Sequence, residues 1–167
     1  MPSYAGKFLI ARPALQEASF RQSVVLLLQH GDQGAFGLVV NRPVKVDGLP
    51  FPVFAGGPCQ AQGLLMLHGH PDWTEPSAAQ SLKEVAPGVF LGDASCLSRI
   101  SDAATEPAPR YRMFSGYAGW GPGQLESELA AGAWAVVPAT GQLLFDVPAD
   151  ELWYRLVPPT IPEPSLN

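Results

Sequence analysis

Hydrophobic residues in this chain are grouped into short runs that are separated by glycine, proline and polar residues. Residues 23–29 do not alternate between apolar and polar side chains, which is typical of a strand covered on both faces. Residues 30–34 have turn chemistry, so we expect the next run, residues 35–40, to form a hairpin with this strand. Further apolar runs predict strands at residues 8–11, 64–68, 89–91 and 111–114.

Helices are predicted where a capping residue precedes an apolar stripe. Asp93 is a suitable N-cap for a helix that carries Leu97 and Ile100 on one face. Four glycines at positions 116, 119, 121 and 123 predict a sharp bend, after which Pro122 fits the first turn of a second helix. This second helix is expected to run to about residue 131 and to be stopped by Gly132. A third, short helix is predicted after residue 148.

The remaining segments complete the predicted fold. Residues 133–137 and 143–145 flank a proline-containing and glycine-containing turn, which predicts a second hairpin. Residues 69–86 lose apolar periodicity and are predicted to be a surface excursion. We therefore expect the α+β class, with a single domain formed by a large mixed, mostly antiparallel β-sheet and a few short helices. We expect residues 1–157 to form this domain and residues 158–167 to form a proline-rich tail.

Composition narrows the range of partners. The chain has 167 residues, a formal net charge of -5 and a pI of about 5.0, so its average surface repels nucleic acid phosphates. Cys59 and Cys96 form no CxxC motif, which favours reduced thiols over a disulfide framework or a zinc site. The start of the chain lacks the pattern of an export signal, and its longest apolar run is too short to cross a bilayer. We expect a cytoplasmic protein that binds neither membrane nor cofactor.

Several of these segments together resemble the UPF0301 (YqgE/AlgH) family of uncharacterised bacterial proteins. The resemblance spans nearly the whole chain and rests on residues 8–13, 20–25, 30–43, 56–58, 67–68 and 116–126. It implies a compact α+β fold with a large mixed sheet and a cytosolic location. Members are sometimes labelled transcriptional regulators, and the resemblance implies no established reaction.

The glycine bend provides the first candidate ligand site. Trp120, Gln124 and Glu126 combine a stacking surface with two polar groups, which suits a pocket wall. The alternative is architectural: Trp120 fills the core and Gln124 caps a neighbouring backbone group. We favour the architectural role. The backbone at Gly119 also belongs to this candidate site, although the spacing fails the GxGxxG pattern for dinucleotide phosphates.

Further candidates lie elsewhere in the sequence. Asn41 and Arg42 end a predicted strand, where a guanidinium can hold a carboxylate or a phosphate. An internal salt bridge from Arg42 to Glu126 or Asp146 is the preferred interpretation. Gly56 and Gly57 form another sharp bend and complete the set of candidate residues.

The sequence contains none of the motifs that would identify an enzyme or a metalloprotein. GxSxG, GxxxxGK[ST] and HExxH are absent, and His68 with His70 lacks further metal ligands at a recognisable spacing. The pair Arg110 and Arg112 is interpreted as a solvated strand face. We predict a binding or regulatory module that acts through a protein partner or a small ligand. The alternative is a hydrolase or transferase of unrecognised mechanism, with its pocket near Trp120.

Overall fold

The computed structural model describes residues 3–13, 15, 17, 18, 20–45, 47, 48, 52–73, 84–92 and 110–158. Strands dominate this part of the chain. In chain order they are β1 Lys7–Ala11, β2 Val24–Gly31, β3 Gly34–Val39, β4 Pro43–Val44, β5 Val53–Ala55, β6 Cys59–His68, β7 Glu84–Ala86, β8 Val89–Leu91, β9 Tyr111–Trp120 and β10 Trp134–Pro138. The helices are α1 Gln124–Ala130 and α2 Ala149–Leu156, with a 3-10 turn at Pro71–Trp73 and a π-helical turn at Gln142–Asp146.

The strands form one sheet in the order β10-β1-β2-β3-β9-β6-β8-β7. Neighbours in this order run antiparallel. Strand β5 pairs in parallel with the first half of β9, while β3 pairs with its second half, so β9 joins both parts of the sheet. The predicted fold class, α+β with a large and mostly antiparallel mixed sheet, is confirmed.

Both faces of β1 and of the first half of β2 are buried, as the apolar run of β2 predicts, whereas Gln29 and Gly31 in its second half are exposed. Phe8 and Leu26 point into a core that is covered by α2 and the π-helical turn. Leu9 and Val25, their neighbours in sequence, point into a second core that contains Trp120, Trp134 and residues from α1. Alternate side chains of a strand face opposite sides of the sheet, so each strand contributes to both cores.

The predicted glycine bend is wrong in its extent, because residues 116–120 continue strand β9. Gly116 adopts a φ of +79° and lies against Gly57, where an added Cβ would approach the Gly57 carbonyl oxygen to 2.8 Å. These glycines therefore permit close strand approach rather than chain reversal. The reversal is confined to residues 121–123, and α1 begins two residues later than predicted. Gly132, with a φ of +78°, follows its end as expected.

The second predicted hairpin is also wrong. Strand β10 pairs with β1 instead of with residues 143–145, and those residues belong to the π-helical turn. Leu144 and Phe145 fold back onto the first core, which buries their apolar side chains without a strand partner. Gly141 allows this return, because a Cβ there would lie 2.5 Å from the Gly88 carbonyl oxygen.

Other predictions have mixed outcomes. The β2–β3 hairpin, the strands at 64–68 and 89–91, and the helix after residue 148 are confirmed, although β6 begins earlier, at Cys59. Residues 84–86 of the predicted surface excursion form β7. The helix predicted from Asp93, with Cys96, lies outside the described residues, as do most of the excursion and the tail from residue 159. Among the helices that are described, none has the length and apolarity needed to span a bilayer.

Candidate functional site

The indole of Trp120 is part of the core. Its side chain is 5% exposed and stacks on Phe20, with ring centroids 6.0 Å apart. Its Nε1 donates a hydrogen bond to Glu128 Oε1 at 3.0 Å, and Trp134 Nε1 donates to the same oxygen at 2.8 Å. One carboxylate oxygen therefore satisfies two buried indole N–H groups, and Trp120 has the architectural role that the sequence analysis favours.

Gln124 holds the turn that precedes α1. Its Oε1 accepts the backbone N–H of Gly121 at 3.0 Å, and its Nε2 donates to Glu128 Oε2 at 3.2 Å. This is the capping role preferred above. Gly119 lies opposite Phe36 in the β3–β9 ladder, so its backbone is engaged in the sheet.

Glu126 is paired with a histidine rather than with an arginine. His30 Nε2 lies 2.9 Å from Glu126 Oε2, and His30 Nδ1 accepts the backbone N–H of Tyr4 at 3.0 Å. Because Nδ1 is an acceptor, the neutral ring carries its proton on Nε2 and donates it to the carboxylate. This hydrogen bond is the main reason that the pKa of Glu126 lies below its ordinary value. The predicted salt bridge between Arg42 and Glu126 is therefore wrong.

Asn41 and Arg42 secure the opposite end of the β2–β3 hairpin. Asn41 Oδ1 accepts the Val24 N–H and its Nδ2 donates to the Gln22 carbonyl, both at 3.0 Å. Arg42 donates to the carbonyl oxygens of Ala18 at 3.3 Å and Arg21 at 2.6 Å. Asp146, the other predicted partner of Arg42, pairs with Arg110 at 3.2 Å. The pKa of Arg42 is lowered mainly by burial and then by the nearby positive charge of Arg21.

A cavity of about 310 Å³ lies beside Asn41 and Arg42. Its wall combines the segment before β2, the segment after β3 and the first turns of α2. The lining residues are Arg21, Gln22, Asn41, Arg42, Ala149, Asp150, Trp153 and Tyr154. A smaller cavity of about 180 Å³, which also contains Arg12, shares Arg21, Gln22 and Trp153 with it. We call the two together the arginine groove.

The glycine pair Gly56 and Gly57 has a structural explanation. A Cβ on Gly56 would lie 2.4 Å from the Gly116 carbonyl oxygen, and one on Gly57 would lie 2.3 Å from the Tyr117 backbone. Gly57 also borders an open cavity of about 460 Å³, together with the half-buried, free Cys59. The close approach to β9 is sufficient to explain why glycine stands at both positions.

The structure divides the predicted site residues between two ends of the molecule. Asn41 contacts the start of β2 at Val24, whereas Glu126 contacts its end at His30. Six strand residues span about 20 Å, so Asn41 and Arg42 do not share a site with Gln124 and Glu126. Arg21 and Tyr154 line the arginine groove but were not among the residues predicted from the sequence. An aromatic residue on the polar side of an amphipathic helix was the available signal for Tyr154.

The basic pair at the start of β9 packs against aromatic rings, so its interpretation as a solvated strand face is only partly right, although the Arg110 side chain is still 41% exposed. The guanidinium of Arg112 lies 5.4 Å from the ring centroid of Phe54, and that of Arg110 lies 5.5 Å from Phe145. Burial is the main cause of the lowered pKa of Arg112. Cation–π contacts of this kind hold the π-helical turn against the sheet.

The histidines also serve packing. His70 stacks on Trp73 at 4.2 Å between ring centroids, and its Nε2 accepts the Arg110 backbone N–H at 2.9 Å. His68 is fully buried, and its Nδ1 accepts the backbone N–H of His70. Within the residues that are described, no three histidine, cysteine or acidic side chains are grouped in a way that would hold a metal ion.

Comparison with known proteins identifies the family. Residues 8–160 match the model of the AlgH-like family. A UPF0301 protein from Myxococcus xanthus is 38% identical over 168 residues, covering 92% of this chain and 88% of its own. A UPF0301 protein from Chlamydia caviae is 35% identical, covering 91% of this chain and 84% of its own.

Solved structures agree on the fold. The solution structure of the AlgH protein from Pseudomonas aeruginosa, also a UPF0301 protein, has a TM-score of 0.69 and 31% identity, covering 92% of this chain and 86% of its own. The crystal structure of protein DIP2367 from Corynebacterium diphtheriae has a TM-score of 0.73, covering 93% of this chain and 86% of its own, and at 22% identity it supports the fold alone. The chain described above therefore belongs to the AlgH-like UPF0301 family.

Proposed function

We propose that this protein is a non-enzymatic binding module that takes a small anionic ligand, a carboxylate or a phosphate, in the arginine groove. The observation that carries the proposal is the meeting of two guanidinium groups, those of Arg21 and Arg42, on one cavity wall. They come from separate segments of a chain whose net charge is -5. Folding therefore concentrates positive charge where the average composition provides little.

The electrostatics of the groove favour an anion. The positive charge of Arg21 opposes ionisation of Arg42, and a ligand with negative charge relieves this repulsion. Arg42 is already oriented by its hydrogen bonds to two backbone carbonyls, so little side-chain entropy is lost on binding. The first turn of α2 adds the positive end of a helix dipole. Among the described side chains that line this cavity, two are guanidiniums and one, that of Asp150, is a carboxylate.

The shape of the groove also suits a small ligand. Its larger cavity, at about 310 Å³, is at the lower end of the range of roughly 300 to 1,000 Å³ that small-molecule sites occupy. Trp153 closes the inner wall and is held by a hydrogen bond of 2.7 Å from its Nε1 to the Ala11 carbonyl. The wall is therefore apolar and fixed on one side and cationic on the other, which is the usual division between packing and orientation in a binding site.

The same geometry argues against the enzymatic alternative. A hydrolase or transferase that used Asn41 and Arg42 together with Glu126 would need residues that lie at two ends of the β2–β3 hairpin. Trp120, which the enzymatic alternative places beside its pocket, is packed in the core. In the described part of the groove, the charged side chains are guanidiniums and one carboxylate, which suit binding and orientation.

The test is an NMR titration with inorganic phosphate and with acetate at constant ionic strength. Amide shifts are expected to concentrate at residues 21–22, 41–42 and 149–150. Arg21→Gln should weaken phosphate binding about tenfold, since one charge-assisted hydrogen bond is lost. The variant retains the backbone carbonyl that Arg42 uses.

Arg155→Gln is the matched control. Arg155 is an exposed arginine on α2 that pairs with Glu151 at 3.9 Å and does not line the groove. The control removes the same charge, so its phosphate affinity should match that of the unmodified protein. Equal weakening in both variants, or shifts scattered over the surface, would contradict an anion site in the arginine groove.

A further inference from the structure

We infer that the anion bound in the arginine groove is attached to a planar aromatic ring. This inference rests on the proposed function and deepens it. It is carried by Tyr154, which has an exposed fraction of 66% and is the most exposed large hydrophobic side chain in the described chain. Tyr154 lines the same cavity as Arg21 and Arg42.

The tyrosine ring is supported from behind. The ring centroids of Tyr154 and Trp153 lie 5.1 Å apart, with an angle of 82° between their planes. Trp153 is buried and is itself fixed to Ala11 by a hydrogen bond. The exposed ring of Tyr154 is therefore held by a rigid neighbour, and stacking a ligand ring on it costs little additional ordering.

The size of the cavity leaves room for more than an anion. Each water molecule takes about 30 Å³ in the liquid, so a cavity of about 310 Å³ has room for about ten of them. A bare phosphate therefore leaves most of this volume to solvent. The remaining wall has an aromatic surface in Trp153 and Tyr154. A planar ring attached to the anion covers this surface and removes it from water.

The charges of the wall orient such a ligand. Its anionic group lies against Arg21 and Arg42, and its ring extends toward Tyr154. Asp150, in the first turn of α2, repels a second anionic group and accepts a hydrogen bond from an amine or hydroxyl on the ring. The ligand class is therefore a phosphate monoester or a carboxylic acid of a flat ring, rather than a linear polyanion.

The experiment compares three probes on the full chain by NMR titration: inorganic phosphate, methyl phosphate and phenyl phosphate. Phenyl phosphate is expected to bind about tenfold more tightly than methyl phosphate, through stacking. The ring proton shifts of Tyr154 should change with phenyl phosphate and remain constant with methyl phosphate. Tyr154→Leu should abolish the difference in affinity, whereas Tyr154→Phe should preserve it.

The outcomes separate the two proposals. If methyl and phenyl phosphate bind in the groove with equal affinity, or if the phenyl preference survives in Tyr154→Leu, the aromatic inference is wrong while the anion site stands. If none of the three probes shifts the residues of the groove, both proposals are wrong. Tyr154 is exposed, so its replacement leaves the core unchanged.

Discussion

His30 donates a hydrogen bond of 2.9 Å to Glu126 and so joins the end of strand β2 to the first turn of helix α1. The side chain of His30 is only 2% exposed, and its second nitrogen accepts the backbone N–H of Tyr4. A single ring thus connects three segments that are distant in the sequence. The carboxylate of Glu126 is the partly exposed member of this contact.

This contact predicts a pH dependence of stability. Because the pKa of Glu126 is lowered in the folded state, the residue stabilises the fold above its ordinary pKa of 4.5. That contribution is lost as the pH falls below 4.5 and through the folded-state value. Thermal unfolding at a series of pH values should therefore show a steeper acid decline for the unmodified protein than for Glu126→Gln.

The cause of the lowered pKa is tested separately. His30→Leu removes the N–H donor, so a carbon-detected NMR titration should show that the pKa of Glu126 rises toward 4.5. His30→Gln places a side-chain N–H near the same position and should retain part of the effect. An unchanged Glu126 pKa in His30→Leu would show that another group holds it down.

Removal of the Glu128 carboxylate is expected to destabilise the second core. Glu128→Ala leaves the indole N–H groups of Trp120 and Trp134 without an acceptor, and both side chains are at most 5% exposed. Each unsatisfied donor costs about 1–3 kcal/mol, so the free energy of unfolding should fall by about 2–6 kcal/mol in urea titration.

Glu151→Ala is the matched control for this prediction. Glu151 is another helical glutamate, but its one described ion pair, with Arg155, is 3.9 Å long and largely exposed. Its replacement should change the free energy of unfolding by less than about 1 kcal/mol. If both variants lose the same stability, the shared acceptor is not important to the core.

Replacement of Gly57 by alanine should be among the most damaging small substitutions in the described chain. Its φ is +150°, and the added Cβ would lie 2.3 Å from the Tyr117 backbone, which the sheet holds in place. We expect a loss of at least about 3 kcal/mol in the free energy of unfolding. Gly31→Ala, where nothing lies within 4 Å of the new Cβ, should be nearly neutral in the same urea titration.

The backbone at Gln22 offers a stabilising change. Gln22 is the one non-glycine residue with positive φ in the described chain, at 57°, and a left-handed conformation costs a residue with a Cβ about 1–2 kcal/mol. Gln22→Gly should therefore raise the free energy of unfolding by about 0.5 kcal/mol or more after its own entropic cost. Phosphate affinity should be preserved, since both guanidinium groups remain. A loss of stability would show that the Gln22 side chain contributes more than its strain costs.

Sequence periodicity predicted the elements whose burial is determined by their own side chains. The run at the start of β2 is apolar at successive positions because both of its faces are covered. The sequence pattern alone therefore predicts a strand buried on both sides. Helix α1 follows from its flanking glycine and proline, and the roles of Trp120 and Gln124 follow from their residue types. These features depend on local chemistry, which a single sequence records.

Features that depend on a distant partner were not predictable in this way. From the sequence alone, Gly116 predicts a bend. The structure shows instead that glycine is needed there because Gly57 lies against it. Leu144 and Phe145 have the apolar character of a strand, yet β1 already pairs with β10 and leaves them to cover the core. The arginine groove likewise combines Arg21 with Tyr154, which are far apart in sequence and carry no shared motif.

The pairing of β1 with β10 has a consequence for synthesis on the ribosome. Lys7 through Ala11 are translated more than a hundred residues before Trp134 through Pro138, the strand that protects their outer edge. Until then the nascent protein exposes unpaired backbone groups and an apolar surface, which invite aggregation. Truncated chains that end before Trp134 lack β10, so the outer edge of their β1 strand stays unpaired.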